Sequence, residues 1–282
     1  MSIRFFILLI LISGNICSQI SKEHLKGFKI IADMLDSAKK ITSIRYKMKS
    51  MERLETGYNK ASTQIKLQIN PRKSYLLNID NKIEILYNSV ESTTKCLVKP
   101  HSFPYIALNL DPSGSLIRKN QHFTVLELGF DFTVKTIAVA LSKEKEQIMK
   151  HLTLVGKVDK NNMHCIMLIY ENLNFGYHDY VVQRKETVTS IAAKFIVNDY
   201  MIRAKNNLFN EYGYLKTGST IKIPLFYCKK GVFFIEEKTM LPISVSIYDE
   251  VGLFESYDYF DVELNKPIPS NEFHKDFKGY KF

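Results

Sequence analysis

Tryptophan is absent from the 282 residues, and glycine, proline and cysteine are sparse at 12, 8 and 4. So little glycine and proline excludes collagen-like and proline-rich fibrous chains. The cysteines include no Cys-x-x-Cys, which removes zinc-ribbon and thiol-redox motifs. The 7 histidines are scattered with no His-x-x-x-His, so no helix presents a paired metal site. Gly-x-Ser-x-Gly, the P-loop and the glycine-rich dinucleotide loop are all missing. No nucleophile with a partner base can be named, so neither catalysis, a metal nor a cofactor is expected. Beyond the N-terminus no run approaches the roughly 20 apolar residues that cross a bilayer as a helix.

What is present is a globular composition. Hydrophobic residues make up 45% and charged residues 24%, with 16 Tyr and 18 Phe. Disordered chains are poor in such residues. The length fits one large domain or two smaller ones, at about 100–200 residues each. The formal charge is +10, from 39 Lys and Arg against 29 Asp and Glu. These positive charges are spread along the chain, at Lys47, Lys49 and Lys66 and again at Arg184, Lys194, Arg203 and Lys222. They form no nucleic-acid cluster. In an envelope they read as a salt-sensitive attraction to anionic wall polymers or lipid headgroups.

The N-terminus has the layout of a secretory signal peptide. Arg4 precedes the apolar run Phe5-Phe6-Ile7-Leu8-Leu9-Ile10-Leu11-Ile12, and small residues follow. Residues 1–18 are expected to leave, with cleavage after Ser18, placing the protein in the periplasm or cell envelope. Lipid attachment at Cys17 is the rival expectation, and the bulky Ile16 before it fits badly. An exported chain is permitted disulfides. Cys96, Cys165 and Cys228 sit in apolar, strand-like surroundings, which favours buried thiols. One pair among them stays open.

Periodicity sets out the elements. Leu25, Phe28, Ile31, Ala32, Leu35 and Ala38 recur at helical spacing over 22–41. The period then drops to 2: Ile44, Tyr46 and Met48 alternate with Arg45, Lys47 and Lys49, and Ile65, Leu67 and Ile69 with Lys66 and Gln68. Further strands are expected near 73–79, 83–88 and 93–99, with a loop over 100–122. A helix is expected over 134–150, then strands at 151–158 and 163–171. The last residues are strongly β, with strands in 231–235 and 243–248 and a long one from Leu253 to Leu264. Tight connections imply antiparallel pairing, since parallel strands need crossovers of about a dozen residues. The fold class is therefore α+β, one curved antiparallel sheet on helices. Its concave face must bury itself on packed helix or on a bound ligand. Glu52 and Arg53 read as an inward polar pair of structural kind, and Tyr257 and Tyr259 as sheet faces.

Residues 179–228 break the meander. Thr187 stands where a helix cap belongs, before Val188, Ile191, Ala192 and Phe195. Asp199 is placed to cap a second helix carrying Ile202. Gly218 turns the chain into Thr220-Ile221-Lys222-Ile223-Pro224. The result is a βααβ unit. Its Tyr180, Val182, Thr187, Ile191, Ala192, Ile202, Asn206, Leu215, Gly218, Ile221, Ile223 and Pro224 fall in register with the LysM pattern. The segment thus resembles a LysM domain, and the resemblance implies binding of N-acetylglucosamine-containing glycan such as peptidoglycan. The implied groove residues are Lys185, Glu186, Thr187, Val188, Asn207, Leu208 and Phe209. The family's Gly-Asp pair is Lys185-Glu186 here, which removes the permissive residue at a tight turn.

The flanking parts, 19–178 plus 229–282, are expected to form the larger domain. Asn70-Pro71-Arg72-Lys73-Ser74-Tyr75, Glu127-Leu128-Gly129-Phe130 and Leu241-Pro242-Ile243 carry a resemblance to Gram-negative envelope proteins of the LolA/LolB-like lipoprotein-carrier type. That resemblance implies a half-open barrel closed by helices, with acyl chains held on its concave face. Two functions follow as expectations. The first is a non-enzymatic envelope protein anchored to peptidoglycan by its LysM-like module. The alternative is a periplasmic carrier of a lipid or lipoprotein.

Overall fold

The computed structural model describes residues 21–282. The expected signal peptide and the Cys17 rival lie outside the described residues. Helix α1 spans Lys22–Lys39 and is opened by Ser21, whose hydroxyl accepts from the His24 backbone N–H at 3.1 Å. That bond satisfies one of the donors every helix start leaves free. Ile31, Met34, Leu35 and Ala38 form its buried stripe, and Lys29 pairs with Asp33 on the outside at 2.7 Å.

Two meanders follow, and they join into one sheet. The first contains β1 (Ser43–Leu54), β2 (Gly57–Gln68), β3 (Lys73–Asn78), β4 (Ile83–Asn88), β5 (Cys96–Pro100) and β6 (Leu108–Leu110). A short helix α2 (Ser115–Arg118) and the long α3 (Asp131–His151) come next, then the hairpin β7 (Leu152–Lys160) and β8 (Met163–Glu171). That hairpin turns at Asn161 and Asn162, both at positive φ (54° and 61°), as a two-residue turn of the primed kind demands. The small unit contains β9 (Tyr177–Val181), α4 (Val188–Phe195), α5 (Asp199–Asn206) and β10 (Thr220–Pro224). Strands β11 (Lys230–Glu236), β12 (Pro242–Tyr248) and β13 (Leu253–Leu264) close the series.

The large sheet has 11 strands in the order β6-β5-β4-β3-β2-β1-β13-β12-β11-β8-β7. Every neighbouring pair is antiparallel. The sheet curves without closing, leaving β6 and β7 as edges, so the α+β half-barrel expectation holds. Its concave face gathers two apolar cores. One joins Ile44, Tyr46, Ile65 and Leu67 to Val125, Leu128 and Phe130. The other sets Ile31, Met34 and Leu35 of α1 against Leu152, Leu168, Phe233, Ile235 and Phe254. Gly129 marks the close approach in the first: its φ is +86°, and a Cβ there would sit 2.7 Å from Leu67 Cδ2.

The βααβ unit interrupts the sheet between two strands that are themselves paired. Glu171 at the end of β8 faces Lys230 at the start of β11. The unit has its own core of Val182, Val188, Ile191, Val197, Ile202 and Ile223. Thr187 caps α4 as expected, accepting from the Ser190 N–H at 3.1 Å. Helix α5 is capped one residue earlier than expected, by Asn198, which accepts from the Tyr200 N–H at 2.8 Å. Asp199 is thereby free for a buried ion pair.

Two other expectations change, and the reading of the cysteines as buried thiols holds. The 100–122 segment is no plain loop, since it holds β6 and α2. Glu52 and Arg53 do not pair, because successive strand residues point to opposite faces. Glu52 faces inward, whereas Arg53 bonds Asp249. Cys96, Cys165 and Cys228 are all free and buried, which settles the open disulfide question. Among the described residues no helix is long and apolar enough to cross a membrane.

Candidate functional site

The concave face is not filled. Between it and α3 lies a cavity of about 560 Å³, within the roughly 300–1,000 Å³ typical of ligand pockets. The strand period builds its wall: the residues that point inward are Tyr46 and Met48 from β1, Ile83 and Ile85 from β4, and Val245 and Ile247 from β12. Helix α3 covers it with both long and short side chains, Phe132 and Ile148 among the long ones. Thr133, Thr136, Ile137 and Ala140 face the cavity, and only Ile148 and Met149 of this helix are buried. Helical geometry also breaks at Glu144 (φ −143°, ψ 45°), so the two parts of α3 run differently over the sheet.

One region of the wall is polar. Glu52 and Glu255 stand opposite each other across the β1–β13 pair, exposed by only 7% and 1%. Glu52 accepts from the Tyr257 hydroxyl at 2.8 Å and from the His122 backbone N–H at 3.0 Å. Glu255 accepts from the Tyr227 hydroxyl at 2.8 Å. Its other oxygen lies 2.8 Å from His122 Nδ1, and His122 Nε2 donates to the Arg53 carbonyl at 3.0 Å. Burial works against a charge on His122, but the Glu255 bond and the charges of Glu52 and Glu255 prevail and raise its pKa. Burial and the nearby Glu255 carboxylate hold the Tyr227 and Tyr257 hydroxyls protonated, well above the usual phenol range.

Glu127 adds a third carboxyl to this wall. One of its oxygens takes Arg118 at 3.2 Å and the Thr124 N–H at 2.9 Å. Burial raises its pKa against the pull of Arg118. Arg118 reaches on to Asp199 of α5 at 2.8 Å. Asp199 also meets Arg203 at 3.4 Å and the Thr189 hydroxyl at 3.0 Å. The small unit is thus locked to the half barrel through α5, and Tyr200 and Met201 enter the second apolar core.

Five of the seven residues expected to form a glycan groove make contacts within the protein. Glu186 accepts from the Tyr180 hydroxyl at 2.8 Å and the Gln183 N–H at 2.8 Å, beside Lys194 at 3.5 Å. The Thr187 hydroxyl is spent on its helix cap, and Val188 is fully buried. Leu208 joins Val188 in the unit's core, while Phe209 leaves it to pack near Tyr200, with ring centroids 5.8 Å apart. Lys185 and Asn207 are exposed, both at positive φ (61° and 57°). Asn206, which matched the family pattern, ties α5 to β10 by donating to the Lys222 carbonyl at 2.7 Å and accepting its N–H at 2.7 Å.

In sequence, neither a family model nor a curated protein matches the chain. Solved structures of similar fold include the lipoprotein LppX of Mycobacterium tuberculosis, at 10% identity and TM-score 0.41, covering 86% of this chain and 97% of that one. MucB, solved with MucA from Pseudomonas aeruginosa, is 9% identical at TM-score 0.42, over 88% of this chain and 60% of that one. A LolA superfamily protein of Nitrosomonas europaea is 11% identical at TM-score 0.34, over 89% and 98%. None of these likenesses is close.

The peptidoglycan expectation is therefore corrected. No family model supports a LysM domain in this chain. Of the groove residues, Glu186, Thr187, Val188, Leu208 and Phe209 are engaged within the protein while Lys185 and Asn207 stay exposed, and the enclosed space lies under the half barrel. Sequence reasoning passed over Glu255, His122 and Tyr227. A usable signal was present for the first, because Glu255 shares the inward parity of Tyr257 and Tyr259.

Proposed function

We propose that this is an exported envelope protein that holds an apolar, lipid-like ligand, either a free lipid or the acyl chain of a lipid-modified partner. The observation that carries this reading is the cavity of about 560 Å³ between the concave face and α3, walled mainly by aliphatic and aromatic side chains. A chain entering it removes apolar surface from water at about 25 cal/mol per Å², with no polar partner required along most of its length. The formal charge of +10 favours approach to anionic membrane surfaces.

Titration with the fluorescent apolar probe N-phenyl-1-naphthylamine, and native mass spectrometry of protein taken from the periplasm, test the reading. Saturable probe binding and a co-purified lipid mass are expected. Ala140→Phe, on the cavity side of α3, fills the space and is expected to weaken probe binding about tenfold without lowering the melting temperature. A lipid-free mass together with no probe binding by the wild type would refute the proposal.

A further inference from the structure

The polar region of the cavity specifies the head of the ligand. Three carboxyls line it, Glu52, Glu127 and Glu255, and behind the wall Arg118 and His122 meet Glu127 and Glu255, with Asp199 held between Arg118 and Arg203. Glu52 accepts hydrogen bonds from Tyr257 and the His122 backbone and makes no direct ion pair among the described residues; the His122 ring, whose charge it favours, is bonded to Glu255 instead. Arg53, its neighbour in sequence, is turned to the other face and held by Asp249. A buried carboxylate without a salt bridge of its own gains from a cation that reaches it.

The ionisable groups facing the cavity here are acceptors, and the Asn59 amide, opposite Glu52 on β2, donates to the Asn120 carbonyl. The Tyr227 and Tyr257 hydroxyls already donate to Glu255 and Glu52. All the bonds made by Glu127 use a single oxygen, Oε2, and Oε1 makes none among the described residues. The one cationic side chain in the described lining is Lys119, exposed to solvent. A carboxylate or phosphate head would meet like charge.

A second observation is independent of the acids. The Thr63 hydroxyl is buried in the cavity wall, 6% exposed, and has no hydrogen-bond partner. Thr63 pairs with Met48, four residues along β1 from Glu52, or about 13 Å at the usual strand rise. A hydroxyl left unpaired in an apolar wall asks for a partner from a bound molecule.

Resting on the apolar-ligand reading, we infer that the cavity takes a long-chain amine. Its ammonium sits against Glu52, Glu127 and Glu255, its chain runs under α3, and a second polar group further along meets Thr63. An ammonium supplies three donors and one positive charge, which is what this wall lacks.

Displacement of N-phenyl-1-naphthylamine by dodecylamine, dodecan-1-ol and dodecanoic acid, each below its micelle concentration, tests the head. Dodecylamine is expected to bind at least about tenfold tighter than the acid, with the alcohol between them. Glu127→Gln keeps an oxygen for Arg118 and Thr124 and is expected to bring the amine-to-alcohol ratio toward one. Thr63→Val is expected to weaken 12-aminododecan-1-ol more than dodecylamine. Acid binding as tight as amine binding, or an amine-to-alcohol ratio unmoved by Glu127→Gln, overturns the inference while leaving the apolar-ligand reading intact. Binding of none of the probes removes that reading itself.

Discussion

His122 is fully enclosed, with each ring nitrogen facing an acceptor: the Glu255 carboxylate at 2.8 Å and the Arg53 carbonyl at 3.0 Å. Only a ring protonated on both nitrogens donates to both while Glu255 stays ionised. Its folded pKa lies above the unfolded value of about 6.5. The stabilisation from this proton is thus complete below about pH 6.5 and is lost as pH rises through the raised folded value. NMR of histidine-labelled protein is expected to show the His122 ring losing its proton at a pH above the usual imidazole range. His122→Gln removes that signal, and the urea midpoint of the wild type falls as pH climbs beyond it. A His122 ring titrating within the usual range would contradict the charged pair. Residue identities alone pointed poorly to this cluster. Its members come from β1, β13, the strap before α3 and the segment after β10, and no sequence spacing joins them. Glu255 was the one member whose parity with Tyr257 and Tyr259 marked it as inward.

At the scale of elements, pattern and structure agree where one face is buried. Alternation in β1, β2 and β13 and helical spacing in α1 placed those elements, because burial on one side imposes a period of 2 or 3.6. The agreement is weaker where polar contacts decide. Helix α5 reads as a short amphipathic helix, but its first residue, Asp199, is held at 2.8 Å by Arg118 of the distant helix α2. Asp199 and Arg203 are 3% and 1% exposed. Removing the carboxylate leaves two guanidinium groups buried with too few partners. Asp199→Ala is therefore expected to cost about 3–5 kcal/mol in urea unfolding. Lys205→Ala breaks the half-exposed pair with Glu250, 2.9 Å apart, and a cation–π contact with Tyr177, and is expected to cost about 1 kcal/mol. Equal effects of the two substitutions would show that the buried pair does not hold α5 in place.

For the molecule as a whole, the half barrel was legible and the cavity was not. A period says which residues turn inward. It does not say whether the covering helix reaches them, and that depends on how α3 lies over the curved sheet. The βααβ segment was equally legible as a unit, yet its pattern gave no sign of how firmly it is joined to the rest. Phe209, Tyr200 and Met201 lie in the half-barrel core, Asn198 reaches Tyr227 at 3.3 Å, and Lys205 meets Glu250. A unit of about 45–50 residues alone sits near the lower limit for independent folding, and this one has placed part of its apolar surface in its host. Scanning calorimetry of the protein is accordingly expected to give one cooperative transition with calorimetric and van't Hoff enthalpies equal. Residues 177–226 expressed alone are expected to show no near-UV dichroism and no cooperative melt. Two resolved transitions, or a folded excised unit, would instead make the segment a self-standing module, free to act apart from the cavity it borders.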